Sequence, residues 1–258
     1  MQSGHGKEDL ERQRRRRAIL RMWLSDQPGA WLFAMSPVIA SLIVVRFDVL
    51  ALWIAVAWNM CYFVQFTAAR WFKSHGRSRY AKPMVVYGVI ALLIGFPLLV
   101  MHPELLWWAP AYIVFATTSF IASWLRKERS LWSNAAQVAA ASCMAVVVLS
   151  LIDNDAARGW NIAAAFALVQ FGCVLYVKTM IREYGKASYL TASLVWHIAL
   201  VIISFAVSPV LCALACALLV RAVAFLLAAR KRRIKPSIVG AGETVATILA
   251  IGCIVAVL

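Results

Sequence analysis

Lys178, Arg182 and Lys186 recur at i,i+4 spacing where one long apolar run closes, a basic stripe interrupted by Glu183. Arg70 and Lys73 close an earlier apolar run in the same manner. Guanidinium and ammonium groups at such ends can hold a phosphate or carboxylate by charge-assisted hydrogen bonds, with no metal between them. Deeper in apolar sequence stand His197, Arg221 and Glu243, together with the amides Asn59 and Gln65. Polar groups at membrane depth must face protein or a polar cavity, so these residues outline the interior of the molecule and are site candidates. Arg221 lies roughly 13 Å, and Glu243 roughly 10 Å, from the same end of adjacent apolar runs at 1.5 Å per residue. Similar depth and opposite sign predict an ion pair, which either ties two helices together or serves a substrate or proton. His197 is a neutral hydrogen-bonded imidazole in one reading, and a proton or ligand contact in the other. The amides, Gln137 and Gln170 included, suit hydrogen bonds between helices.

The elements that must position these residues are membrane spans. The chain of 258 residues is 63% hydrophobic and 14% charged, with a mean hydropathy of +0.79, outside the range of soluble domains. Apolar runs of spanning length predict an all-α polytopic bundle of nine helices. They cover residues 29–45, 49–69, 84–101, 105–125, 131–152, 160–181, 188–207, 209–229 and 237–258. Residues 29–258 form a single transmembrane domain, preceded by a basic cytoplasmic segment at 1–28. In that segment Ala18–Leu24 is short and broken by Arg21, unlike a signal peptide. All six cysteines fall in apolar runs without metal-ligand spacing, so they read as small buried residues, and no metal or other cofactor is expected. Pro37, Pro97 and Pro110 are expected to bend their spans. Ala135, Ala139 and Cys143 suggest a seam for close helix contact.

The net charge of +15 has a topological distribution. Of the 26 Lys and Arg residues, 23 fall before the first span or in alternate connections, while the intervening connections hold only Arg46 and Arg158. That asymmetry predicts a cytoplasmic N-terminus and an external C-terminus in an inner (plasma) membrane. It also accounts for the charge without nucleic acid, for which no reading module is present. Anionic membrane lipids are the expected partners, with a protein partner or homo-oligomer open. Trp31, Trp71, Trp124 and Trp132 fall at predicted inner ends, and Trp107, Trp108 and Trp160 at outer ends, as interfacial rings do.

Thr67 precedes Arg70 by three residues and Thr179 precedes Arg182 likewise, with an aromatic two residues after each arginine. This is a weak internal repeat that would bring two inner helix ends to one cytoplasm-facing pocket. The stretches Asp26–Trp31, Arg70–Pro83, Arg182–Tyr189 and Lys235–Glu243 resemble the YwiC-like family of bacterial membrane proteins, across nearly the whole chain. Asp26 and Pro28 replace the Asn and His of that family's opening pattern. The resemblance implies a membrane protein and no particular activity. The chain is more distantly similar to the UbiA superfamily of intramembrane prenyltransferases, whose nine helices surround an inner-facing pocket. Of that superfamily's first acidic motif only Asn59 matches; the second region offers Lys178, Arg182 and Glu183. One glutamate beside three bases is a poor magnesium site, since magnesium takes hard oxygen ligands.

Two kinds of function fit these residues, and whether the chain is an enzyme is open. In the first, Arg70, Lys73, Lys178 and Arg182 bind or pass an anionic lipid or small anion, with His197, Arg221 and Glu243 as polar floor and Asn59 and Gln65 as walls. In the second, a metal-independent UbiA-like transferase or hydrolase acts on a polyprenyl or phospholipid substrate. Arg70 and Arg182 would neutralise its leaving phosphate, and Glu183 or Glu243 would be the base. Assembly into a larger membrane complex fits equally.

Overall fold

A chain this apolar must pair its backbone groups internally wherever it meets hydrocarbon, and helices do so within each segment. The computed structural model describes residues 12, 22–23, 28–231 and 234–258, and among them it is all-helical. The helices are α1 (Pro28–Val44), α2 (Val49–Lys73), α3 (Ala81–Met101), α4 (Ala109–Trp124), α5 (Leu131–Ile152), α6 (Ala156–Val177), α7 (Ala187–Val207), α8 (Pro209–Lys231) and α9 (Pro236–Val257). Eight helical segments are long and apolar enough to cross a membrane; the apolar part of α1, Gly29–Val44, is shorter. The protein is thus a polytopic helical bundle. The basic segment expected at 1–28 lies outside the described residues, apart from Arg12, Met22, Trp23 and the backbone of Pro28.

Short polar connections define the helix ends. Asp48 accepts hydrogen bonds from the Leu50 and Ala51 amides at 2.8 and 3.1 Å, capping α2. Asp155 accepts from the Arg158 amide at 2.9 Å and starts α6. Pro110 stands in the first turn of α4, after a 3-10 segment at Pro103–Trp108. There its missing N–H costs nothing, so it initiates the helix rather than bending it as expected. Pro37 and Pro97 do lie inside helices.

The core is built on α5 and α6, each about half buried. α1 packs on both and also meets α2 and α9, while α7, α8 and α9 close the side beyond α6. α3 lies against α2 at the rim. It shows Leu92, Leu93, Phe96 and Val100 outward, an apolar face of the kind lipid covers. Among the described glycines the tightest approach is at Gly159, where an added Cβ would stand 2.8 Å from Val146 Cα and 3.3 Å from the Ala145 carbonyl oxygen. The tight seam of α5 is therefore Ala145–Val146. The row Ala135, Ala139 and Cys143 is turned one face away and only half-buried, because each residue step rotates the helix by about 100°.

A methyl group at Gly159 must push α5 and α6 apart. Gly159→Ala is expected to lower stability by about 1–3 kcal/mol, seen as a lower melting temperature of the detergent-solubilised protein. Gly95→Ala, with nothing within 4 Å of the new carbon, should leave melting unchanged.

Candidate functional sites at the basic end and inside the bundle

The residues singled out from sequence fall into three groups. The first is at the basic end. α2 stays α-helical through Lys73, carrying Arg70 and Lys73 to its last turn. Arg70 stacks its guanidinium 4.4 Å over the Phe66 ring. Lys73 forms an ion pair with Glu128, from the turn between α4 and α5. A concavity of about 660 Å³ opens here, lined by Arg70, Lys73, Ser74, His75, Arg77, Arg79, Tyr80 and Arg126. No acidic side chain is among them. Burial acts to raise the Glu128 carboxyl, but the Lys73 ammonium and a backbone hydrogen bond outweigh it and hold that carboxyl below its usual range.

α6 ends differently. Its last turn, Lys178–Arg182, is π-helical, with the Glu183 amide donating to the Lys178 carbonyl at 2.8 Å. Gly185 then takes a left-handed φ of +85° and breaks the helix before α7. The expected i,i+4 stripe is consequently not continuous: a wider turn and a break rotate its members onto different faces. Lys178 is buried, 4% exposed, and donates its ammonium to the Arg129 carbonyl. Lys186 is exposed and pairs with Glu183 at 2.6 Å. Arg182 lies in the field of Arg129, Glu128 and Glu183. The two predicted helix ends thus meet the same short turn, Arg126–Ser130, through Lys73 on Glu128 and Lys178 on the Arg129 carbonyl. Arg70 and Lys73 line the concavity; Lys178 braces that turn from beneath. Thr67 and Thr179 share a local role, each donating to the carbonyl four residues earlier, at 2.8 and 2.9 Å. Thr179 also reaches the Tyr189 carbonyl, and Tyr184 the Ala229 carbonyl, so α6, α7 and α8 are tied together at this end.

The second group is interior. Arg221 of α8 and Glu243 of α9 form the expected ion pair, Nη1 to Oε1 at 2.5 Å, both side chains about one-eighth exposed. Arg221 Nη2 donates to Cys173 Sγ at 3.8 Å, and the guanidinium lies 4.4 Å over the Tyr176 ring. His197 of α7 is fully buried beside this group: its Cε1 is 3.6 Å from where a Cβ on Gly172 would stand. Its Nδ1 is 2.7 Å from the Ser193 carbonyl. A carbonyl only accepts, so Nδ1 carries the proton and neutral Nε2 presents a lone pair. His197 Nε2, Arg221 Nε, Glu243 Oε2 and Tyr176 Oη are all buried without a hydrogen-bond partner. Arg221 and Glu243 are thus paired against Cys173 and Tyr176 of α6, and His197 packs beside Gly172 of the same helix.

The amides form the third group. Asn59 accepts from the Trp31 indole at 2.7 Å and Gln65 donates to Ser119 Oγ at 2.8 Å, joining α2 to α1 and α4. Trp31, 38% exposed, consequently meets an amide near the middle of α2, because α1 is short and starts beside it. Gln170 donates to the Phe33 carbonyl and Ser36 at 2.8 and 2.9 Å.

Sequence reasoning missed Glu128, Arg77, Arg79 and Arg126 at the first site, and Cys173 and Tyr176 at the second. The lone carboxylate among Arg126, Lys127 and Arg129, and the i,i+3 spacing of Cys173 and Tyr176 one turn from Lys178, were the available signals. Both carboxylates named as bases for a transferase are engaged in ion pairs. Among the described residues no three His, Cys, Asp or Glu side chains gather as metal ligands would.

An all-helical bundle with eight segments long and apolar enough to span a bilayer, among the described residues, defines a multi-pass membrane protein. Residues 24–149 match the family described as YwiC-like protein, so this part of the chain is similar to that family. An uncharacterized protein of Haemophilus influenzae is 26% identical over 181 residues, 69% of this chain and 76% of the relative. No solved structure matches, so a UbiA-like arrangement rests on the sequence resemblance alone.

Removing one partner of the interior ion pair strands the other charge. Arg221→Met is expected to lower stability by about 3–5 kcal/mol. Arg221→Met with Glu243→Gln should recover a large part of that loss, since no charge is then left unpaired. Unfolding of the wild type, both single variants and the double variant in mild detergent gives the coupling directly.

Proposed function

We propose that the protein binds a phosphate-bearing anionic lipid headgroup, or a small anion of the same chemistry, at the basic end of its bundle. The observation that carries this reading is the concavity of about 660 Å³ walled by Arg70, Lys73, Arg77, Arg79 and Arg126. Opposed arginines satisfy an anion's lone pairs directly. His75 and Tyr80 add hydrogen-bonding groups to the same wall. Lys178 and Arg182 contribute from behind: Lys178 holds the Arg129 carbonyl, which positions Arg126 and Glu128. Glu128, paired with Lys73, sets one edge of the site.

Topology supports the same reading. The concavity lies at the end that carries the basic connections 70–82, 126–129 and 178–186, which is the cytoplasmic face by the charge rule. That leaflet is the one rich in anionic headgroups in many membranes.

Two outcomes check the proposal. Native mass spectrometry from mild detergent should show a discrete phospholipid on the wild type that is lost from Arg70→Ala/Arg126→Ala, with thermal stability preserved. Retention of the same lipid mixture by both would reject the site. A C-terminal alkaline phosphatase fusion should be active and a C-terminal green fluorescent protein fusion dark; the reverse pattern would place the concavity outside.

A further inference from the structure

At the end of the bundle opposite the basic concavity, a cleft of about 300 Å³ opens between α6, α7, α8 and α9. Its lining changes from polar to apolar with depth. Asn161 stands five residues into α6, roughly 8 Å from that helix end, and Ser204 three residues before the end of α7, roughly 5 Å in. Leu168, Val169, Leu200 and Leu214 line the deeper part, down to roughly 20 Å along α6. Asn161, Ala164, Ile203 and Val207 of this lining are exposed, so the cleft opens sideways at membrane depth. A volume of this size holds roughly ten water-sized groups, hence one hydrocarbon chain rather than two.

Ser204 is only 8% exposed. Ser41 and Ser123 return their hydroxyls to the carbonyl four residues earlier, each at 2.9 Å, as serines inside helices do. Ser204 does not: its backbone carbonyl accepts from the Ser208 amide, but its hydroxyl has no partner among the described residues. The Asn161 amide has none there either. A buried donor left unmet is costly, so an acceptor belongs in the cleft. An ester carbonyl accepts two hydrogen bonds and donates none, which suits one hydroxyl and one amide. One turn outward from Asn161, Arg158 gives its Nε to the carbonyl of Leu258, which also lines the cleft. Arg158 is one of the two bases in the external connections. Arginine, then amide and hydroxyl, then leucine and valine follow the order in which a phospholipid presents phosphate, ester and hydrocarbon.

We propose that this cleft holds one acyl chain of an external-leaflet phospholipid, with the ester carbonyl on Ser204 and Asn161 and the phosphate at Arg158. The site lies at the other end of the bundle from the basic concavity and does not depend on the anion reading.

The test uses the full-length protein in phosphatidylcholine vesicles that contain a small fraction of phosphatidylglycerol with a photoreactive diazirine in one acyl chain. Mass spectrometry then assigns each crosslink to a residue, so the two ends of the bundle are read separately. Crosslinks in 164–169 and 200–215 are expected to saturate as the probe fraction rises and to be displaced by unlabelled phosphatidylglycerol. Diacylglycerol, which has the esters but no phosphate, should displace them about tenfold less well. Crosslinks on the outward face of α3 should instead rise in proportion to the probe. Ala164→Phe fills the cleft from an exposed position and should remove its labelling at an unchanged melting temperature. Ser204→Ala should weaken labelling by the ester-linked probe about three- to tenfold, the effect of one hydrogen bond, and leave an ether-linked probe unchanged. Cleft labelling that merely tracks the probe fraction as α3 does would mean a lipid annulus only and overturn the proposal. So would equal displacement by diacylglycerol, equal loss of ester and ether probes in Ser204→Ala, or full cleft labelling in Ala164→Phe.

Discussion

The close packing of α6 on α5 is the contact on which the bundle depends. Lipid tails are as apolar as leucine, so hydrophobic burial does little to bring helices together inside a bilayer. What remains is dispersion between closely fitted surfaces, and that requires backbones to approach. Gly159 lets α6 lie against Ala145 and Val146 at a distance no side chain would permit. Around that pair, Val148, Leu149, Ile162 and Phe166 are fully buried, and α1 completes the core with Val38 and Ala40. The remaining helices are referred to this unit: α7, α8 and α9 on one side, α2, α3 and α4 on the other.

The same fit explains where polarity is allowed. On the α2 side, each amide is answered by one specific partner, Trp31 for Asn59 and Ser119 for Gln65. On the α8–α9 side a full ion pair is carried, with cysteine sulfur and an aromatic face around the guanidinium. A charge pair inside hydrocarbon is tolerable only with such further contacts. The two regions differ in kind: the basic end is open and predominantly positive, whereas the interior ion pair is neutral and nearly closed.

At the basic end, the turn Arg126–Ser130 links the halves. It receives Lys73 on Glu128 and Lys178 on the Arg129 carbonyl. A five-residue connection thereby connects the last turn of α2 with the π turn of α6. This is a more particular arrangement than two symmetric arginine-bearing helix ends, and it gives Lys178 a structural task while Arg70 and Lys73 face the concavity.

How much of this was legible in the chain follows from what each kind of signal reports. The nine helices were readable, their limits to within four residues, because hydrocarbon demands uninterrupted apolar length. The Arg221–Glu243 pair was readable from depth and sign alone, since an isolated charge there would be too costly. The burial of Lys178, the role of Glu128 and the partners of Asn59 and Gln65 were not. Periodicity gives the face of a helix but not its neighbour, so only the assembled bundle decides which loop a lysine meets. The Lys178–Lys186 stripe failed for a related reason: a π turn and a left-handed glycine change the rotation per residue, and sequence spacing assumes that rotation constant. Sequence therefore determined the spans, the charge asymmetry and the polar residues that must be buried. Tertiary structure decided which of them meet, because contacts between helices depend on side-chain fit across distant parts of the chain.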